Sequence, residues 1–391
     1  MFLTQITLLN FKNHESLSLN FSKKINCFIG KNGVGKTNII DSVYYLCLTK
    51  SYFNSVDQQN ILFGKDFFRL EGRFTKSVGD NTNHGTGAFE IVYKLPTNKR
   101  KELLVNDVAV PKLSDHIGNF PCIIISPDDS QLILGSSEER RKFLDGTISQ
   151  VNHEYLEWLI VYNKLLTQRN ASLKRFAETK KTDKHLLETY DKQLFPLGTK
   201  IYEARKVVME KLQPIFQKYY KEISLERELV SFSYYSQLNE KPLDILLEES
   251  LNKDLMLQRT DVGVHKDDME FYITPKSPSR EMRDETKGDL KANTNSNNKM
   301  KKFGSQGQQK SFIISMKFAQ YELIKNSNEV NGKPVLLIDD IFDKLDNDRS
   351  QKLIELIASD EFGQIFLTDT DDAHIRETLK GREDLFEVIN V

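Results

Sequence analysis

The stretch that decides the fold is residues 25–40, INCFIGKNGVGKTNII. It opens with predominantly apolar residues that predict a buried strand, continues through a glycine-rich turn, and ends in a pattern that predicts a helix. The turn fits G-x-x-x-x-G-K-[ST], the phosphate-binding loop between a strand and a helix. Its glycines let successive N–H groups point at phosphate oxygens, helped by the helix dipole. The predicted nucleotide-binding residues are Gly30, Lys31, Asn32, Gly33, Val34, Gly35, Lys36, Thr37 and Asn38.

This pattern predicts ATP and Mg²⁺ as the cofactors, because Lys36 would place its ammonium on the β- and γ-phosphates and the Thr37 hydroxyl would be one ligand of Mg²⁺. An acidic element elsewhere in the chain supports the prediction of ATP and Mg²⁺. Residues 334–340 are an apolar run that ends in two carboxylates, as a buried parallel strand does when it ends at a ligand crevice. We predict that Asp339 holds the magnesium shell. Asp340 stands where a second acid would orient or deprotonate the attacking water, so Lys36 and Asp340 are the predicted catalytic residues.

A second glycine motif, GSQGQQK at residues 304–310, directly precedes a helical pattern. A serine hydroxyl and bare N–H groups at a helix N-terminus suit a phosphate oxygen. Taken alone, the motif also fits an ordinary helix cap.

The rest of the chain predicts an α/β protein with an insertion. Strands and helices alternate near both ends, which indicates a parallel sheet, and short alternating segments between Arg69 and Pro111 indicate a β-meander. Residues 138–251 have few glycines and apolar residues spaced three and four apart, which predicts an inserted helical arm. Residues 275–302 are predicted to be a disordered insertion. The predicted domains are 1–137, 138–255 and 256–391.

Composition excludes several classes of protein. With 55 Lys and Arg against 56 Asp and Glu in 391 residues, the chain is not a generally basic chromatin-type protein. Binding to nucleic acid would therefore need a local patch. The three cysteines are far apart among apolar neighbours, which suggests neither a zinc site nor a disulfide framework. Apolar runs are too short to span a bilayer, so we expect a cytoplasmic protein without a membrane partner.

One segment carries a local excess of positive charge. Between residues 161 and 206 there are eleven Lys and Arg against five acids, which fits a face that contacts DNA phosphates. Such a run also fits a solvated helical arm with ordinary surface charges. The sequence shows no helix-turn-helix, zinc-finger or RNP-like aromatic motif, which favours backbone and shape recognition over base reading. The candidate DNA-binding residues are Lys174 and Arg175, extended by Arg140, Arg141 and Lys142.

The motifs together resemble a known family. The glycine motif at 304–310, the strand ending in two acids and residues 343–346 resemble the signature, Walker B and D-loop of ABC-type ATPases. NFKN at 10–13 and the loop at 30–38 look like the SMC-like branch, and within it the chain is similar to the RecF family of bacterial recombination-repair proteins. Further matching stretches are 139–145, 168–170, 302–310 and 260–268, the last with Val264 and Lys266 in place of the usual Pro and Arg.

The resemblance implies an ABC/SMC-like P-loop ATPase head with a β-rich N-terminal part and the helical arm as a second lobe. In such families the loop of one subunit and the signature of another enclose the nucleotide, which implies an ATP-dependent homodimer. Ser305, Gly307 and Gln308 would then touch the γ-phosphate in trans, and Asp346 would couple the two sites. The resemblance further implies gap repair and the SOS response on single- or double-stranded, gapped or junction DNA, with RecR, RecO and RecA as partners.

The chain departs from the ABC pattern at two positions. Asp340 stands where those enzymes usually have Glu, which predicts slow hydrolysis because Asp is one methylene shorter. A His usually follows the last core strand, whereas here residues 368–370 are Thr-Asp-Thr and the nearest imidazole is His374, so the switch residue stays unassigned. Gln131 is a candidate for the lid glutamine.

Three other functions compete with a repair ATPase. A structural SMC-type head would use ATP as a clasp for a DNA tether, but the arm is too short for long heptad repeats and lacks a hinge. A transporter motor would need a membrane-domain partner and the missing His. An unrelated P-loop enzyme such as a kinase would leave residues 305–309 unexplained.

Overall fold

The computed structural model describes residues 1–78, 85–96, 101–275, 299–330, 332–341, 346–370, 375–377 and 379–391. The chain forms two compact units. The first comprises residues 1–129, 222–225 and 306–391, and the second comprises residues 130–221 and 226–305.

The first unit contains a parallel sheet of five strands in the order β13-β3-β12-β11-β8. The strands are β3 (Ile25–Ile29), β8 (Cys122–Ile125), β11 (Val335–Ile338), β12 (Ile365–Asp369) and β13 (Phe386–Asn390). Every residue of β3, β8, β11 and β12 is buried, as expected for a parallel sheet covered on both faces.

An antiparallel sheet of six strands completes the β structure of this unit, in the order β2-β1-β4-β5-β6-β7. Its strands are β1 (Phe2–Phe11), β2 (His14–Asn20), β4 (Phe67–Val78), β5 (Gly85–Pro96), β6 (Glu102–Val105) and β7 (Val108–Ala109). Consecutive pairing from β4 to β7 is the predicted meander.

The first unit also contains the helices α1 (Lys36–Leu48), α8 (Gln306–Lys325) and α9 (Asn347–Ala358). Helix α1 is buried along nearly its whole length, and its side chains share one hydrophobic core with residues from both sheets. Short 3-10 helices lie at Asp57–Asn60, Leu113–His116 and Pro127–Ser130. Two more, in the second unit, lie at Gln237–Asn239 and Val264–Lys266. Because α1 and both sheets share this hydrophobic core, packed side chains hold the start of α1 beside the carboxyl ends of β3 and β11.

The second unit is mainly helical. It holds α2 (Gln131–Leu134), α3 (Ser137–Ser149), α4 (His153–Thr179), α6 (Leu243–Leu257) and α7 (Met300–Phe303), together with α5 (Lys184–Ile223) except its last two residues. A two-stranded antiparallel sheet of β9 (Glu228–Tyr235) and β10 (Asp268–Pro275) pairs along eight residues of each strand. Among the residues described, no helix is both long enough and apolar enough to cross a bilayer.

The structure confirms the predicted α/β class and parallel sheet, and it differs from the predicted organisation in two places. Strand β9 lies inside the segment predicted to be wholly helical, and its pairing with β10 places residues 256–305 in the second unit rather than with the C-terminal half. The predicted disordered insertion ends earlier than residue 302, because Met300 is fully buried in α7. Most of that insertion, residues 276–298, lies outside the described residues.

Candidate nucleotide-binding site

The phosphate-binding loop joins β3 to α1 and needs glycine at one position above all. Gly35 has φ 109°, and a Cβ there would lie 2.5 Å from His14 Nε2 and 2.6 Å from Asn13. Both neighbours brace the loop: Asn13 Nδ2 donates to Val34 O at 3.0 Å, and His14 Nε2 lies 3.1 Å from Gly35 O. Asn38 Nδ2 donates to Asn13 Oδ1 at 2.7 Å. The turn after β1 therefore holds the loop from outside.

The start of α1 is built to receive an anion. Its N-cap position is Gly35, which offers no capping side chain, and its first turn is Lys-Thr-Asn-Ile. The N–H groups of a first turn are left without intrahelical partners and carry the positive end of the dipole. The Lys36 ammonium, itself buried, donates to Gly30 O at 2.6 Å and to Lys31 O at 3.0 Å. Its hydrogen-bond partners are thus carbonyl dipoles rather than carboxylates.

Thr37 and Asp339, which are 302 positions apart, meet at this end of the sheet. The Thr37 hydroxyl lies 3.0 Å from each oxygen of the Asp339 carboxylate, and the Asp339 N–H donates to Ile125 O at 2.8 Å. Burial raises the pKa of Asp339, while hydrogen bonds from Thr368 and Thr37 act against that rise. A hydroxyl and a buried carboxylate are hard oxygen donors of the kind that Mg²⁺ prefers.

Asp340 follows Asp339 on an unusual backbone. Its φ of 49° lies in the left-handed region, and its side chain is exposed. The Asp340 N–H donates to the Thr368 hydroxyl at 3.0 Å, and the same hydroxyl donates to Asp339 Oδ1 at 2.8 Å. Thr368 therefore contacts both members of the acidic pair.

The second glycine motif and the D-loop aspartate are also in place. Ser305 is exposed and ends the second unit, while Gly307 and Gln308 lie half-buried in the first turn of α8. Asp346 caps the N-terminus of α9 by accepting from the Arg349 N–H at 2.9 Å. The rest of the predicted D-loop, residues 343–345, and His374 lie outside the described residues.

The predicted DNA-binding residues differ in their exposure and in their contacts with acids and carbonyls. Lys174 and Arg175 are exposed on α4. Arg140 instead makes a two-pronged ion pair with Asp268, and Arg141 donates to Asp267 O at 2.6 Å. Lys142 is exposed and pairs with the acids at 138 and 139.

Two of the eleven cations in the basic segment are buried, which corrects the number predicted to be available to DNA. Arg169 and Arg205 are 0% and 1% exposed, so they cannot face a phosphate. Arg169 pairs with Asp191 and Asp254. Arg205 pairs with Asp145 and Asp267. Removing these two leaves nine exposed cations in the segment.

Fold and site together define a P-loop ATPase head of the ABC and SMC type: a glycine loop and an acidic strand end at one edge of a parallel sheet, flanked by an antiparallel sheet. The family model "RecF/RecN/SMC N terminal domain" matches residues 2–390. The chain belongs to this family of ABC-type ATPases and, within it, to the RecF proteins of DNA replication and repair.

Its relatives match over the full length. The DNA replication and repair protein RecF of Flavobacterium johnsoniae is 42% identical over 391 residues, covering 100% of both chains. RecF of Phocaeicola vulgatus is 38% identical, covering 100% of this chain and 96% of the relative. The family predicted from the motifs is thereby confirmed.

Solved structures agree. The recombination mediator protein RecF with ATP, described as part of the RecFOR pathway, superposes with a TM-score of 0.79 at 26% identity, covering 95% of this chain and 92% of that one. An Smc head domain derived from Pyrococcus furiosus has a TM-score of 0.54 at 15% identity, covering 100% and 93% of the two chains, which supports the fold alone.

Sequence reasoning missed three residues that build the site. In the sequence Thr368 is only a departure from the usual His, and Asn13 is only part of a resemblance. His14 belongs to no motif. Thr368 follows the apolar run at 365–367, but a single hydroxyl at that position carries no signal of its own.

Proposed function

We propose that this chain binds ATP and Mg²⁺ at the loop between β3 and α1, and that ATP closes a homodimer on DNA during recombinational repair. The observation that carries the proposal is the buried Lys36 ammonium, held by carbonyl oxygens at the uncapped start of α1. Among the described residues the hydrogen bonds of this cation go to neutral carbonyl groups, so a bound anion would stabilise its charge further, and a polyphosphate would supply that anion. The RecF structures that this chain resembles include one with ATP.

Thr37 and Asp339 would hold the magnesium ion. The structure places the hydroxyl and the buried carboxylate in contact, so one cation can reach both. A bound divalent ion would offset the burial that raises the pKa of Asp339. When bound, magnesium would supply positive charge that offsets the negative charge developing during hydrolysis.

The other half of the nucleotide site would come from a second copy of the chain. Ser305 is exposed, and Gly307 and Gln308 begin α8, so this segment can present N–H groups and a hydroxyl to a γ-phosphate in trans. Asp346, exposed at the start of α9, would couple the two sites. Asp340 would orient or deprotonate the attacking water, and its short side chain predicts slow hydrolysis.

DNA would bind through the exposed cations of the helical arm, with Lys174 and Arg175 as the residues to test. Arg140 and Arg141 are engaged with acids and carbonyls of their own unit, so we assign them a structural role. RecO and RecR are proposed partners, since the RecF structures similar to this chain are described within the RecFOR pathway, and RecA is proposed from the family resemblance alone.

Solution mass tests the composite site. Light scattering with ATP and Mg²⁺ should show a doubled mass for the native chain and a monomer for Lys36→Ala and Ser305→Arg. A fluorescent ATP analogue separates the two variants: Lys36→Ala should lose binding, whereas Ser305→Arg should retain the native affinity as a monomer. A Ser305→Arg protein that still doubles its mass would contradict the trans arrangement.

The salt dependence of DNA affinity tests the arm. Replacing Lys174 and Arg175 together by Glu should weaken binding at every sequence and lower the slope of log affinity against log salt by about two. Lys112→Glu, an equally exposed lysine of the first unit, is the matched control and should leave the slope unchanged. An unaltered slope for the double variant would move the DNA site elsewhere.

A further inference from the structure

Thr368 is a buried residue near the carboxyl end of β12, beside the two acids that follow β11. Strands β11 and β12 are parallel neighbours with Ile338 opposite Leu367, so the next pair in register is Asp339 and Thr368. Thr368 is 2% exposed. Its hydroxyl donates to Asp339 Oδ1 at 2.8 Å and accepts from the Asp340 N–H at 3.0 Å. A hydroxyl has one proton to donate, and here it goes to the carboxylate.

The backbone of Asp340 explains why this anchoring is needed. At φ 49° the residue lies in the left-handed region, which non-glycine residues occupy seldom and which Asp and Asn enter more readily than other residues with a Cβ. Such conformations persist only where the surroundings hold them. Thr368 holds the Asp340 N–H, and the Lys310 ammonium approaches the Asp340 carbonyl at 3.5 Å.

We propose that Thr368 is a positioning residue that fixes the direction of both acids, and that Asp rather than Glu stands at 340 because the left-handed backbone favours it. This inference rests on the proposed function, in which Asp339 holds magnesium and Asp340 directs water. The short side chain of Asp340 then suits the left-handed backbone at that position. The Thr368 hydroxyl, rather than a side chain beyond the end of β12, is then the group that contacts both acids.

The test uses substitutions that separate the hydroxyl from the shape. Thr368→Val removes the hydroxyl and keeps the branched side chain, whereas Thr368→Ser keeps the hydroxyl. Thr7→Val makes the same chemical change on β1, where the Thr7 hydroxyl contacts Ser18 at 3.2 Å, and serves as the control. Thermal denaturation without nucleotide verifies that each protein is folded.

We expect Thr368→Val to lower kcat for ATP hydrolysis by about 10- to 100-fold, the range expected when a reacting group is misplaced. KM for ATP should change by less than about 3-fold, because the phosphate loop is intact. Thr368→Ser should restore kcat to within about 3-fold of the native value. As a readout besides turnover, the Mg²⁺ concentration that half-saturates binding of a fluorescent ATP analogue should rise for Thr368→Val and return to the native value for Thr368→Ser.

Asp340→Glu supplies an independent test should Thr368→Val fail to fold. The longer acid is the one usual in ABC enzymes, yet on this backbone it should hydrolyse ATP more slowly than the native chain. A Glu variant as fast as the native chain, or a Thr368→Val protein with native kcat and native Mg²⁺ dependence, overturns the inference. Asp340→Asn distinguishes the two proposals: if it hydrolyses ATP normally, the proposed role of Asp340 is wrong whatever Thr368 does.

Discussion

Replacing Arg205 by methionine should destabilise the second unit strongly, because this guanidinium joins three parts of it. Arg205 lies on α5 and is 1% exposed. It donates to both oxygens of Asp145 on α3 at 3.0 Å, and to Val264 O and Asp267 Oδ2 at 2.7 Å each. Methionine fills part of the same space but makes none of these hydrogen bonds.

The magnitude follows from what the substitution leaves behind. Asp267, 1% exposed, would remain buried without its cation, and breaking a buried ion pair by removing one partner costs about 3–5 kcal/mol. Burial already raises the pKa of Asp267, and Arg205 opposes that rise. Without Arg205 the folded-state pKa rises further above the unfolded value. Such a carboxyl reduces stability in full above its folded pKa; the loss shrinks as pH falls below that pKa and is gone below the unfolded pKa.

The free energy of unfolding of the full chain should therefore be measured at pH 7.5 and pH 5 by urea denaturation. At pH 7.5 Arg205→Met should lose about 3–5 kcal/mol, or roughly 6–20 °C in Tm for a unit of this size. At pH 5 the loss should be smaller. Lys206→Met, the exposed neighbour on the same helix, is the control. A loss below about 1 kcal/mol, or one that is equal at both pH values, would refute the argument.

Two further predictions concern buried cations of the first unit. Arg349 is buried, donates to the Ser311 hydroxyl on α8 at 3.0 Å and pairs with Asp346 at 3.3 Å, so it links the helix of the second glycine motif to the proposed coupling residue. Arg349→Met should therefore weaken ATP-dependent dimerisation in light scattering without changing the affinity for a fluorescent ATP analogue, and a native dimer would contradict this. Lys317 pairs with the buried Asp129 at 2.6 Å, so Lys317→Met should lower the free energy of unfolding by about 3–5 kcal/mol in urea, and a loss below about 1 kcal/mol would count against it.

The nucleotide loop could be predicted because its motif carries its own geometry. Gly35, Lys36 and Thr37 must stand in that order for the backbone to turn and the helix to begin, so the spacing alone indicates the local structure. Asp339 could be predicted because an apolar run that ends in an acid marks the carboxyl end of a buried strand. Fold class followed from the alternation of strands and helices at both ends of the chain.

Thr368 could not be assigned from sequence, since one hydroxyl at a strand end has no pattern of its own. Its role depends on the register of β11 with β12, which pairs residues nearly thirty positions apart. The left-handed backbone of Asp340 is likewise set by its surroundings, because Asp is compatible with several backbone conformations. Both features arise from tertiary contacts that spacing does not encode.

The buried arginines, in contrast, did carry a sequence signal. Arg205 is spaced four residues from Ile201 and four from Met209, both buried, which places it on the apolar face of α5. Arg169 follows the buried Leu165 by four residues on α4. Helical periodicity therefore indicates that these two cations point inward. A count of charged residues along the segment includes both arginines as surface groups. The count therefore overstates the positive charge available to DNA.

These arginines also explain stretches that resemble the RecF family but lie outside the nucleotide loop. Arg169 donates to the Thr260 hydroxyl at 2.9 Å, and Arg205 and Arg140 reach Asp267 and Asp268. The stretch at 260–268 thus meets 139–145 in an ion pair and 168–170 in hydrogen bonds, and these contacts lie within the second unit. Because these charges are used within the fold, the DNA-binding face that we propose for this segment comprises its nine exposed cations, whose contribution salt screens strongly. Raising salt should therefore weaken DNA binding long before it loosens the second unit.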